Sequence, residues 1–73
     1  AELDEALLGL TRDERVAVQR RLINLGYLRG SADGVFGAAT RSAIARWQGD
    51  NGLTESRYLT AEQVRTLQQQ SRL

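Results

Sequence analysis

The sequence predicts an all-α protein, a compact three-helix bundle with a short extra N-terminal helix. Apolar residues recur three or four positions apart in four separate stretches, which is the spacing of one face of a helix. Glycines and capping residues bound these stretches, as they do where helices begin and end. The length of 73 residues suits one domain. We divide it into an N-terminal extension at 1–14, a core at 15–67 and a polar tail at 68–73 that we expect to fray.

The first stretch predicts a short helix over residues 2–8. Leu3, Leu7 and Leu10 recur at helical spacing. Two acidic residues near its start suit the positive end of the helix dipole. Gly9 is then placed to end this helix, because glycine adopts the left-handed conformation that terminates helices.

The second helix is predicted to begin with a capping box. Thr11 can accept a hydrogen bond from the backbone amide of Glu14, whose side chain can reach back to the amide of Thr11. Gly26 is predicted to end the helix in the left-handed conformation. The apolar stripe between these limits consists of Val18, Leu22 and Leu25.

A loop over residues 27–35 is predicted next, because it contains the turn-forming pair Asp33 and Gly34. The third helix is predicted to begin near residue 38 and to end near residue 51, with Gly52 as its cap. Its core-facing side chains are predicted to be Ala43, Ile44 and Trp47.

The start of the third helix lies in a stretch, residues 32–44, that resembles a functional loop at first sight. It has no lysine for a phosphate loop and too few carboxylates for a calcium loop. We therefore expect these residues to be architectural. Phe36 would place its ring in the core, and Gly37 would allow a tight helix start that a side chain would obstruct. Thr40 would bond a free backbone amide of the first turn.

The last helix is predicted to begin with a second capping box, in which Thr60 pairs with Gln63, and to turn Val64 and Leu67 inward. The two halves of the chain resemble each other weakly. In each half a glycine follows a helix, and an aromatic residue, Phe36 or Tyr58, precedes the next one. The sequence thus suggests an internal repeat without establishing it.

Composition excludes several classes of function. With no cysteine and no histidine, the chain has no disulfide and no ordinary zinc site, and we expect neither a metal nor a cofactor. A net charge of +1 with interspersed signs argues against a nucleic-acid partner. No apolar run is long enough for membrane insertion. Asp50, Glu55 and Glu62 are carboxylates that could pair for glycoside hydrolysis, but so small a chain suggests no deep pocket, and we expect no enzyme.

A series of residues with a specific order and spacing extends across most of the chain. It consists of Val18-Gln19, Leu22, Leu25-Gly26-Tyr27, Asp33-Gly34-Val35-Phe36-Gly37, Thr40, Ala43-Ile44, Trp47-Gln48 and Gly52-Leu53. In this pattern, residues 15–67 resemble the peptidoglycan-binding domain family in its three-helix form. The resemblance implies a noncatalytic module that binds bacterial peptidoglycan and localises an attached enzyme or envelope protein. It also implies a periplasmic or cell-wall location.

The second half departs from the family pattern. The family often has a second Asp-Gly-x-x-Gly-x-x-Thr segment before the last helix, whereas residues 54–62 contain no glycine. An alternative therefore stays open, in which a degenerate copy of the fold serves as a structural or protein–protein interaction module. In either case we expect a monomer that is covalently linked to a larger parent protein.

Most residues of the family pattern are expected to be structural rather than ligand-binding. Trp47 shares a stripe with Ile44, which favours core packing over sugar stacking. Gln19 and Gln48 are expected to tie loop backbone to a helix. The positions assigned to architecture are Gly26, Gly34, Phe36, Gly37, Thr40, Trp47 and Gln48.

Ligand contacts are expected from side chains in or beside the two loops. Peptidoglycan offers N-acetylated sugars and a peptide stem with carboxylates, which call for an aromatic platform, polar groups and cations. An arginine such as Arg41 can hold a stem carboxylate through two parallel hydrogen bonds. The residues predicted to line one shared groove are Tyr27, Arg29, Asp33, Arg41 and Tyr58.

Overall fold

Three α-helices make up the regular structure of this chain. A computed structural model describes residues 9–70, and within that range the helices are α1 (Arg12–Asn24), α2 (Ala38–Asp50) and α3 (Ala61–Gln70), with no strand. The Cα radius of gyration is 10.8 Å, close to the value of about 11 Å expected for a compact domain of this length. The helix predicted over residues 2–8 lies outside the described residues.

Helix α1 begins and ends as its caps predict. The Thr11 hydroxyl accepts from the Glu14 amide at 3.2 Å, and the Glu14 carboxylate accepts from the Thr11 amide at 3.2 Å, so the capping box is complete. At the other end Gly26 is left-handed, with φ of 89°. This lets the Tyr27 amide donate to the Leu22 carbonyl at 2.8 Å and close the last turn.

Helix α2 begins and ends where the sequence predicts, but the role expected of Gly37 at its start is not seen. Gly52 adopts φ of 71°, and the Leu53 amide donates to the Gln48 carbonyl at 2.8 Å. The prediction for Gly37 was wrong. Its φ of −81° and ψ of −170° are extended values open to any residue, and no atom lies within 4 Å of an added Cβ. No tight approach at this helix start requires a glycine.

Helix α3 begins at the second predicted capping box. The Gln63 amide donates to the Thr60 hydroxyl at 3.2 Å, and the Thr60 amide donates to the Gln63 side chain at 3.4 Å. The helix continues to Gln70, into the segment expected to fray. The Trp47 indole donates to the Gln70 side chain at 2.8 Å, and this contact ties the last described turn of α3 to α2.

The core lies between the three helices and receives one buried leucine from each loop. Trp47 is fully buried, as its helical spacing predicts. Leu28 and Leu59, which belong to loops and to no periodic stripe, are buried as well. Phe36 is only half-buried and packs against the edge of the core. The buried apolar cluster consists of Val18, Leu22, Leu28, Ala43, Ile44, Trp47, Leu59 and Leu67.

Replacing Thr11 with alanine should lower the free energy of unfolding by about 1 kcal/mol, because the Glu14 amide loses its side-chain acceptor. Urea denaturation followed by circular dichroism measures this difference. Thr11→Ser is the matched control, since it keeps the hydroxyl and should stay close to the wild-type value. Equal losses for the two variants would contradict the capping role.

Candidate ligand-binding site

The loop between α1 and α2, residues 25–37, is anchored by one buried glutamine. Gln19 is 1% exposed, and its side-chain oxygen accepts from the Gly34 amide at 2.8 Å. Its amide nitrogen donates to the Val35 carbonyl at 2.8 Å and faces Asp33 Oδ1 and Thr40 Oγ1, each at 3.1 Å. The prediction that Gln19 ties loop backbone to a helix is confirmed.

Thr40 therefore has a different partner from the one expected. Its hydroxyl accepts from the Gln19 side chain, whereas the sequence suggested a bond with a backbone amide of the first turn of α2. Thr40 is 4% exposed, and a buried hydroxyl needs a hydrogen-bond partner. The glutamine supplies it and so connects α1, the loop and α2 at one point.

A second buried glutamine anchors the loop between α2 and α3, residues 51–60. Gln48 is fully buried, and its side-chain oxygen accepts from the Arg57 amide at 3.0 Å. Its amide nitrogen lies 2.9 Å from the Tyr58 carbonyl, 3.0 Å from Gln63 Oε1 and 3.3 Å from Ser56 Oγ. This arrangement repeats the contacts that Gln19 makes with the first loop.

Residues 33–35 of the first loop and 56–58 of the second thus share one backbone geometry. Asp33 Oδ1 accepts from the amide two residues later at 2.9 Å, and Ser56 Oγ does the same at 3.3 Å. Gly34 and Arg57, the residues between, are both left-handed, with φ of 81° and 71°. The internal repeat suggested by the sequence is present as a repeated hydrogen-bond pattern.

The alignment of the two halves predicted from the sequence is one residue out of register. It paired Phe36 with Tyr58 because both are aromatic and precede a helix. The hydrogen bonds instead make Tyr58 the equivalent of Val35, and Leu59 the equivalent of Phe36. Tyr58 therefore stands at a position whose counterpart, Val35, is 65% exposed.

Arg41 joins the two loops. Its guanidinium carbon lies 5.2 Å from the centroid of the Phe36 ring and 4.4 Å from that of Tyr58, so the cation contacts both aromatic faces. Its Nη1 donates to the Arg57 carbonyl at 3.0 Å. We call Phe36, Arg41, Arg57 and Tyr58 the Arg41 cluster. It combines aromatic surface with positive charge at the junction of the loops.

Two other residues predicted to bind ligand have partners of their own. The Tyr27 hydroxyl donates to Asp50 at 2.7 Å, and this hydrogen bond raises the pKa of the Tyr27 phenol. Asp50 lies nine residues beyond Arg41 on α2, about 13 Å along the helix axis. The Val35 amide and the Gln19 side chain donate to the Asp33 carboxylate and lower its pKa.

The predicted residues therefore do not form one compact cluster. Arg41 and Tyr58 meet at the loop junction, whereas Tyr27 lies towards the far end of α2. Arg29 and Asp33 are exposed positions of the first loop. Sequence reasoning did not single out Arg57, although the absence of glycine from the second loop was visible.

The described part of the chain offers no metal site and no membrane-spanning helix. Between residues 9 and 70, no three acidic side chains lie close enough together to hold a metal ion. None of the helices α1 to α3 is both long and apolar enough to cross a membrane.

Asp50, a candidate for a catalytic carboxylate pair, accepts a hydrogen bond from Tyr27, and the Glu55 carboxylate lies against α2 at Gly49.

The fold and site define a small helical module whose two loops are built on matching buried glutamines. The sequence model of the peptidoglycan binding domain family matches residues 11–67, and the chain belongs to this family. No curated protein and no solved structure gives a significant match to the chain. The family is one of binding domains, and its matched range includes all of the Arg41 cluster.

Replacing Gln48 with alanine should lower the free energy of unfolding by about 2–4 kcal/mol, because it leaves a cavity and removes the partners of the Arg57 amide and the Tyr58 carbonyl. Chemical denaturation monitored by Trp47 fluorescence measures this loss. Gln69→Ala, an exposed glutamine on α3, is the matched control and should change stability by less than about 0.5 kcal/mol. A similar small loss for Gln48→Ala would contradict the anchoring role.

The free energy of unfolding should depend on pH in the acidic range because Asp33 titrates there. Because its pKa is lowered from 3.8 in the folded protein, its contribution is present above that value and is lost as the pH falls through the folded pKa. Asp33→Asn does not titrate, so its denaturation midpoint should fall less between pH 5 and pH 2 than that of the wild type. If the denaturation midpoints of the two proteins fell equally over this pH range, the ionisation of Asp33 would not contribute to stability.

Proposed function

We propose that this chain is a noncatalytic peptidoglycan-binding module that keeps a linked enzyme or envelope protein close to the bacterial cell wall. The observation that carries the proposal is the family match over residues 11–67. The geometry of the second loop supports it, because Gln48 holds that loop as Gln19 holds the first, despite the missing glycines. A location in the periplasm or at the wall, and a monomeric state, belong to the same proposal.

The Arg41 cluster has chemistry that suits fragments of peptidoglycan. Ring faces such as those of Phe36 and Tyr58 can contact the apolar faces of sugars, and guanidinium groups bind carboxylates of the peptide stem. Arg41 also has an architectural task, since it is held by both rings and by the Arg57 carbonyl. In this proposal it orders the loops and adds positive charge beneath the ligand.

The remaining predicted residues extend the proposed surface away from the cluster. Arg29, Asp33 and Tyr27 all lie on the first loop, and the Tyr27 hydroxyl donates to Asp50. An extended glycan strand with its stems is long enough to touch several such points. Each contact is weak when exposed to water, but covalent linkage to a parent protein raises the effective concentration at the wall.

The domain should sediment with purified peptidoglycan sacculi at physiological salt. Arg41→Ala should weaken retention by about fivefold or more, because it removes a cation held by two rings and loosens the loop junction. Tyr27→Ala should weaken it as well, because the proposed surface extends to that residue. The measurement is the bound fraction against sacculus concentration, with circular dichroism to show that each variant is folded.

Arg65→Ala is the matched control, because Arg65 is an exposed arginine of α3 and is not one of the residues of the proposed surface. It removes an equal charge and should bind as the wild type does. If the folded wild type is not retained, the binding proposal is wrong and a protein partner becomes the alternative. If Arg65→Ala and Arg41→Ala lose binding equally, retention reflects general charge and not this site.

A further inference from the structure

Arg57 has a backbone conformation that glycine would adopt more easily. It is the one non-glycine residue with positive φ between residues 9 and 70, at 71°. The left-handed conformation brings Cβ too close to the neighbouring carbonyl in all residues except glycine. The equivalent residue of the first loop is a glycine, Gly34, with φ of 81°. Arg57 therefore has a side chain at a position whose backbone conformation favours glycine.

The hydrogen bonds of Arg57 explain why its backbone is left-handed, but they do not explain why this residue is an arginine. Its amide donates to the buried Gln48 at 3.0 Å, and its carbonyl accepts from Arg41 at 3.0 Å. Both are backbone contacts that glycine would make equally well. The guanidinium is exposed and has no hydrogen bond or ion pair with another described residue. Backbone strain that no hydrogen bond or ion pair of the side chain offsets is typical of a functional position.

We propose that Arg57 is the ligand-contacting cation of this site and binds a free carboxylate of the peptidoglycan peptide stem. This inference rests on the proposed function and assigns to Arg57 the role that was expected of Arg41 from its position in the sequence. The guanidinium of Arg57 is available for the two parallel hydrogen bonds that a carboxylate accepts. Tyr58 follows directly in the chain, with its ring against Arg41.

The neighbouring charge supports a carboxylate over an uncharged sugar group. Arg41 Nη1 lies 3.0 Å from the Arg57 carbonyl, so a second positive charge stands at the base of the same residue. The charge of Arg41 at this loop junction adds to the attraction that the Arg57 guanidinium exerts on an anion. Between the N-acetylated sugars and the peptide stem, it is the stem that carries anionic groups, its carboxylates.

The test is Arg57→Gly, which separates binding from stability. Glycine relieves the left-handed strain, so the melting temperature should stay the same or rise by a few degrees. Affinity for sacculi should nevertheless fall by about fivefold to tenfold, because an arginine–carboxylate contact is lost. Arg65→Ala, at an exposed position on α3, removes the same charge elsewhere and should bind as the wild type does.

A second arm identifies the ligand group. Soluble stem peptides with free carboxylates should bind the wild type more tightly than the same peptides with amidated carboxylates, and Arg57→Gly should not distinguish them. Wild-type affinity in Arg57→Gly, or a clear fall in its melting temperature, would overturn the assignment. Failure of the proposed function would look different, because the wild type itself would then bind neither sacculi nor stem peptides.

Discussion

The structure depends on two buried glutamine side chains that supply hydrogen bonds to the loops. A loop that packs against a helix must satisfy its backbone amides and carbonyls away from water. Gln19 and Gln48 do this from within the helices, each accepting from one loop amide and donating to one loop carbonyl. With no cysteine to form a disulfide in so short a chain, these bonds fix the loops relative to the core.

The anchored loops in turn place the aromatic and cationic groups. Because Gln48 fixes the segment around Tyr58, the Tyr58 ring and the Arg57 carbonyl both reach Arg41 at the start of α2. Phe36 approaches the same arginine from the first loop, which Gln19 fixes. The geometry of the Arg41 cluster therefore depends on both glutamines and would change if either side-chain amide were lost.

The helices could be predicted from sequence because their signals are local. Thr11 and Glu14 mark the start of α1 within four residues, and Gly52 marks the end of α2. The loops could not be predicted in the same way. Leu59 is buried by tertiary packing without any periodic pattern, and the left-handed conformation of Arg57 has no glycine to signal it. The sequence predicts Arg41 as a ligand-binding candidate, but its two aromatic contacts depend on how separate loops meet.

The missing glycines of the second loop change its side chains, whereas residues 56–58 keep the backbone hydrogen bonds seen for residues 33–35. Since Gln48 holds residues 56–58 as Gln19 holds residues 33–35, any difference in recognition between the loops must come from the side chains at those positions. The first loop presents an acid, a glycine and an exposed valine, whereas the second presents a serine, an arginine and a tyrosine. The second loop thus has an arginine and a tyrosine, residue types that can contact carboxylates and sugars, so the departure from the family pattern there leaves in place the chemistry that the proposed binding needs.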